Sequence, residues 1–242
     1  MISISPDVKT TDSLLLWFMG FFAKNFKSHA IVKGGMVLRL MHSPRATNDL
    51  DVLFVPFTSK KQVVPQIKTI LDEVNGIESS VIADSKCIRC LIKYGKLQIQ
   101  IEGSIAEACE YESVSMSELG VPIILAVQRR DIALANKIAA WNERHLMRDL
   151  YDIYFFVSVL QVKPNLETLQ SRLKNVYSGR TNKSKSMDIQ ALVHAIEEAA
   201  MNISSKSLND ELGAVLHVNE LAGLDLRIKV ALNRLAEHLK GC

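Results

Sequence analysis

Asp49 and Asp51 are separated by one apolar residue and follow closely on the run Lys33-Gly34-Gly35. The stretch Asp49-Leu50-Asp51-Val52-Leu53-Phe54-Val55, closed by Pro56, is rich in branched and aromatic residues and reads as a β-strand. Side chains alternate faces along a strand, so Asp49 and Asp51 share one face while Leu50 points into a core. Two neighbouring carboxylates repel each other and call for a cation. Mg²⁺ (or Mn²⁺) suits them, since Mg²⁺ takes one or two carboxylates plus substrate phosphates. Two such ions roughly 3.5–4 Å apart can clamp both oxygens of an in-line displacement.

The glycines supply the other half of that chemistry. Without a Cβ the backbone can approach a phosphate closely and present its N–H groups. Met36 to Met41 reads as a short helix whose N-terminus faces the same phosphates, and Pro44 ends it. Arg39 on that helix is a candidate nucleotide contact. Arg45 and Thr47, just before the carboxylate strand, are placed to touch phosphate or a metal-bound water. A glycine pair alone is a turn, and Asp-x-Asp alone arises by chance; in this order and context they point to nucleotidyl transfer from a nucleoside triphosphate.

The elements that must position these residues form a mixed α/β half over residues 1–112. An apolar helix covers Thr11 to Lys27 with Asp12 as its cap, and Ala30-Ile31-Val32 leads into the glycines. After the carboxylate strand come a helix over Lys60 to Val74 and strands over Ser79 to Ala83, Lys86 to Lys93 and Leu97 to Glu102, the last two joined by a turn at Tyr94-Gly95. Leu97, Ile99 and Ile101 alternate with Gln98, Gln100 and Glu102. Glu102 is a third metal-site carboxylate, or an acceptor for a hydroxyl proton, if its strand lies beside the Asp49–Asp51 strand; otherwise it is an edge residue facing water. From about Ser113 the pattern turns helical, and residues 113–242 read as a helical domain. The expected class is α/β (α+β): a mixed sheet followed by helices.

A second constellation lies in the helical half. Ala133 to Val157 reads as one long helix or two abutting ones. If unbroken near His145, it places Lys137, Arg144, Arg148 and Asp152 on one stripe and Ala135, Ala139, Leu146, Leu150, Ile153 and Val157 opposite. Such a stripe is either a solvated face with an Arg148–Asp152 pair or a phosphate-facing surface. In the second case Lys137 neutralises triphosphate charge, and Asp152 orients a basic neighbour or helps activate a hydroxyl.

Composition sets the outer limits. The chain has 242 residues and a net charge of +3, enough for one large or two smaller cores and permissive of a nucleic-acid partner without requiring one. Cys87-x-x-Cys90 has metal-ligand spacing but no matching second pair, and inside a strand an odd separation sends the side chains to opposite faces. Reduced thiols are the better reading for Cys87, Cys90, Cys109 and Cys242. The apolar run Leu14 to Ala23 is too short to span a bilayer and reads as a buried helix, so a cytoplasmic protein without membrane contact is expected.

Taken together, the Gly34-Gly35 … Arg45-x-Thr47-x-Asp49-Leu50-Asp51 run and the later Lys137 … Arg148-Asp149-Leu150-Tyr151-Asp152 run resemble the two signatures of the AbiEii/MenT-type nucleotidyltransferase-like toxins, within the polymerase-β-like nucleotidyltransferase superfamily. The resemblance covers about residues 30–157. It implies an N-terminal catalytic domain and a C-terminal helical domain with the nucleotide between them. It further implies Mg²⁺ at Asp49 and Asp51, a phosphate role for Lys137 and a catalytic role for Asp152. An NTP substrate and a cognate antitoxin are expected, with tRNA 3′ ends as the acceptor and a block on translation as the outcome. Gly34-Gly35 departs from the Gly-Ser common in that family, which leaves backbone N–H groups to hold phosphate.

Arg172, Lys174, Arg180, Lys183 and Lys185 cluster without an intervening acid, with Tyr177 interleaved. They form an RNA-binding surface or a lysine-rich surface loop. A protein or small-molecule acceptor, and a non-catalytic nucleotide-binding protein on the same fold, are the competing readings.

Overall fold

The computed structural model describes residues 5–117, 122–174, 176–177 and 184–241. They fall into two compact units, Met1–His42 with Ala46–Arg129, and Ser43–Arg45 with Arg130–Cys242. No helix among the described residues is long and apolar enough to cross a membrane.

The first unit is built on seven strands: β1 (Ala30–Lys33), β2 (Asp49–Phe54), β3 (Ile77–Ala83), β4 (Ile88–Tyr94), β5 (Leu97–Ile105), β6 (Tyr111–Met116) and β7 (Ile123–Gln128). They form one mixed sheet in the order β3-β4-β5-β2-β1-β7-β6. β2 is central, antiparallel to β1 and parallel to β5. Three helices accompany the sheet: α1 (Thr11–Phe26), α2 (Gly35–Leu40) and α3 (Lys60–Asp72).

α1 is apolar nearly all round and is correspondingly buried, from Leu14 to Phe26. Its cap is Thr10, whose side chain and that of Ser13 form a capping box; Asp12 lies inside the first turn instead and accepts two hydrogen bonds from Arg39 on α2, at 3.1 and 3.0 Å. Phe22 and Phe26 of α1 meet the Phe54 ring with centroids 6.0 and 5.0 Å apart. That contact lies on the back of β2, where Leu50, Val52 and Phe54 are buried. The strand is therefore anchored through one face, leaving the other for Asp49 and Asp51. Gln62 and Ser59 make the corresponding capping box on α3.

The helical turnover expected at Ser113 does not occur. Ser113 lies inside β6, β7 follows, and β7 pairs in parallel with β1. Ile123-Ile-Leu-Ala-Val127 is a continuous apolar run; Leu125 and Val127 are fully buried and Ala126 nearly so, so the strand shows no polar–apolar alternation.

The second unit consists of α4 (Arg130–Arg144), α5 (Met147–Tyr154), a π-helical turn over Phe155–Val159, α6 (Leu166–Leu173), a short hairpin β8 (Val176–Tyr177) with β9 (Ser184–Lys185), and α7 (Ile189–Asn202), α8 (Ser205–Leu212), α9 (Val218–Leu221) and α10 (Leu224–Lys240). α10 buries Ile228, Leu232, Leu235 and Leu239 at helical spacing and packs on α7 and α5. A mixed sheet unit followed by helices is the α/β class expected.

The long helix over Ala133 to Val157 is two helices. His145, with φ of 54°, breaks it between α4 and α5. The single stripe of Lys137, Arg144, Arg148 and Asp152 therefore does not exist as drawn on an unbroken helix.

Candidate active site

In the first unit, β2 presents Asp49 and Asp51 on its front face as their spacing requires. Thr47, itself buried, donates its hydroxyl to Asp49 Oδ1 at 3.0 Å and so fixes that carboxylate. Asp51 stands opposite Lys33 of β1, and the Lys33 ammonium lies 4.0 Å from Asp51 Oδ1. Gly34 follows at once with φ of +69°, and a Cβ on it would come within 2.0 Å of Asp51 Oδ2. The Asp51 carboxylate is thus seated in the space a side chain would fill, and only glycine fits there by either criterion.

β5 does lie beside β2, with Asp49 opposite Gln100 and Asp51 opposite Glu102. Glu102 is on the same face as the acid pair. Its carboxylate accepts from Gln100 Nε2 at 2.7 Å and lies 3.9 Å from Arg89. Among the described residues no three His, Cys, Asp or Glu side chains converge as a ready-made metal site. What is assembled is a pair of hard-oxygen donors on one face, with a lysine ammonium beside one of them. That set suits an ion that completes its shell with substrate phosphates and water. Arg39 is turned to Asp12, and α2 has only six residues, so Gly34 and Gly35 offer phosphate local N–H groups more than a long helix dipole.

The CxxC pair shows no metal or redox arrangement. Cys87, Cys90 and Cys109 are free thiols, and burial pushes the Cys90 thiol up to about 12, far from a reactive thiolate.

In the second unit, Asp152 is completely buried. Arg45 grips it with Nε 2.8 Å from Oδ1 and Nη2 3.3 Å from Oδ2, and Lys137 Nζ lies 2.6 Å from Oδ2. Arg45 and Lys137 are themselves only 9% and 14% exposed. Asp152 therefore pairs with these two cations and not with Arg148, which is exposed. The neighbouring acid of the same run, Asp149, is equally buried and accepts from Arg144 Nε and Nη2 at 2.6 and 2.7 Å. Both acids of α5 thus bind cations of α4 across the break at His145. Tyr151, between them, lies 3.4 Å from the Ser43 hydroxyl. Burial pushes the Tyr151 phenol up, opposed by that contact.

Of the basic cluster, Arg172 donates to Glu143 of α4 at 3.1 Å and to Asn136, and Lys174 is exposed at the end of α6. Lys185 falls in β9, and Arg180 and Lys183 lie outside the described residues.

Two participants escaped the sequence reading. Lys33 was legible in principle, since it ends a strand alternating with Ile31 and directly precedes the glycines. The Arg45–Asp152 pairing joins residues 107 apart, and no local pattern announces it.

The family model for "Nucleotidyl transferase AbiEii toxin, Type IV TA system" matches residues 16–227. No curated protein matches the chain. Among solved structures, the chain is similar to MenT4, a nucleotidyltransferase toxin from Mycobacterium tuberculosis H37Rv, with TM-score 0.63 and 18% identity over 93% of this chain and 84% of that one. It is also similar to JHP933 from Helicobacter pylori, with TM-score 0.54 and 15% identity over 96% of this chain and 92% of that one. At these identities the structural likeness speaks to the fold.

Proposed function

This chain belongs to the AbiEii nucleotidyltransferase toxin family of type IV toxin–antitoxin systems, and from that premise we propose that it transfers a nucleotide from an NTP to RNA, in the first place the 3′ end of tRNA, to block translation. The observation that carries the reading is the pair Asp49 and Asp51 on one face of β2, with Asp51 seated in the space that a side chain at Gly34 would need. Asp49 and Asp51 would hold Mg²⁺ or Mn²⁺, which supplies charge neutralisation on the triphosphate.

The chain's own residues do the rest. Thr47 keeps Asp49 in one orientation. The Gly34 and Gly35 backbone receives phosphate oxygens, and in the second unit Lys137 supplies an ammonium for the same class of oxygen. An acceptor hydroxyl oxygen bonds to the α-phosphorus, the bond from that phosphorus to the bridging oxygen breaks, and pyrophosphate leaves. Glu102, partly exposed beside Asp51, is the front-face carboxylate available for the hydroxyl proton. The exposed Lys174 and the remainder of the 172–185 cluster support an RNA acceptor through its phosphates. A cognate antitoxin is the expected partner in the cell.

Incubation of the protein with each labelled NTP, Mg²⁺ or Mn²⁺, and total tRNA tests this directly. The expected result is label on tRNA with one preferred NTP, lost in Asp51→Ala, and growth arrest on expression of the wild type alone. Label on protein instead moves the acceptor to a side chain. No transfer under any metal condition, with equal toxicity of Asp51→Ala, leaves a nucleotide-binding protein without catalysis.

A further inference from the structure

Both oxygens of the Asp152 carboxylate are already engaged by buried cations. Oδ1 accepts from Arg45 Nε, Oδ2 accepts from both Arg45 Nη2 and Lys137 Nζ, and the side chain is 1% exposed. A proton acceptor must reach the proton it takes, and a neutral acid placed between two buried cations would leave them repelling each other. Lys137 has the opposite character. An ammonium has three donors, and Asp152 fixes one of them at 2.6 Å, which sets the direction of the remaining two.

We propose that Asp152 is a positioning residue for Lys137: together with Arg45 it holds the Lys137 ammonium in the orientation in which it meets a phosphate oxygen of the NTP, and it does not accept the hydroxyl proton. The inference rests on the nucleotidyl-transfer reading for its substrate, and it moves Arg45 from a phosphate contact to a partner of Asp152. The three side chains carry two positive charges and one negative, so the cluster keeps one net positive charge for an anion. Its burial keeps that charge little screened by water.

The test separates positioning from proton transfer and from plain structural support. Affinity for a non-hydrolysable NTP in the presence of Mg²⁺ is measured by calorimetry for the wild type, Asp152→Asn, Lys137→Ala and the double variant. Each single change weakens binding by about tenfold to a hundredfold, the scale of one charge-assisted hydrogen bond. The double variant is no weaker than Lys137→Ala, because Asp152 acts through that lysine. The acidic limb of the kcat–pH profile persists in Asp152→Asn.

Unchanged NTP affinity in Asp152→Asn together with loss of that limb overturns the proposal and makes Asp152 the base. Full additivity of the two changes also overturns it. Should Asp152→Asn fail to fold, Arg45→Lys serves instead, since it keeps the charge and removes the two-pronged grip. There, NTP binding about threefold or more weaker supports the proposal and unchanged binding overturns it. Wild-type protein that binds NTP but transfers nothing counts against the transfer reading alone and leaves the coupling measurable.

Discussion

At Gly34 two independent constraints coincide. Its φ of +69° is one that side-chain-bearing residues rarely adopt, and the space its missing Cβ leaves is filled by Asp51 Oδ2. Gly34→Ala therefore has to move either the strand end or the carboxylate. We expect the backbone strain to cost about 1–3 kcal/mol. Transfer should fall by about a hundredfold, the effect of a reacting group displaced by about 1 Å. Urea denaturation and the labelled-NTP assay read the two effects separately, and a variant with full activity would show that the Asp51 seat does not matter. The importance of this residue was readable beforehand only as a rule about glycines near phosphate. That the glycine accommodates the Asp51 carboxylate itself depends on the antiparallel pairing of Lys33 with Asp51, which spacing along the chain does not reveal. Asp49 and Asp51 were legible because a period of two residues is a local property of any strand.

Elements differ in how plainly they announce themselves. The hairpin of β4 and β5 alternates cleanly, so its existence followed from sequence, while the turn expected at Tyr94-Gly95 falls at Gly95-Lys96, with Tyr94 opposite Leu97. β7 is apolar throughout much of its length, and such a run fits a buried strand or a buried helix equally. The break at His145 had no signal either, since neither glycine nor proline marks it. α5 is nevertheless tied to α4 by the two bonds from Arg144 to Asp149. Those bonds also push the Arg144 guanidinium further up, so it stays charged. Arg144→Ala would leave a fully buried carboxylate without its counter-charge. The expected loss is about 3 kcal/mol, the low end for broken buried pairs because the arginine is 44% exposed. Equilibrium denaturation checks it. A change below about 0.5 kcal/mol would mean that water replaces the guanidinium freely.

For the whole molecule, a net charge of +3 is modest for the RNA acceptor proposed above, and Arg172 is already engaged by Glu143. Few phosphates can therefore be neutralised. With about three contacts to single-stranded RNA, raising salt from about 50 to 200 mM should increase the KM for tRNA by roughly tenfold to twentyfold. Initial rates at several salt concentrations measure this, and a KM indifferent to salt would point to an acceptor other than nucleic acid. The division of the chain has a consequence of its own. Ser43–Arg45 belong to the second unit although the chain on both sides of them belongs to the first. Cutting the gene at the 129/130 junction would thus strip the downstream fragment of the guanidinium that Asp152 needs, leaving that acid with a lysine alone. The two halves are not modules that evolution could shuffle apart by a single recombination event; a three-residue loan from the upstream half has to travel with the helices it completes.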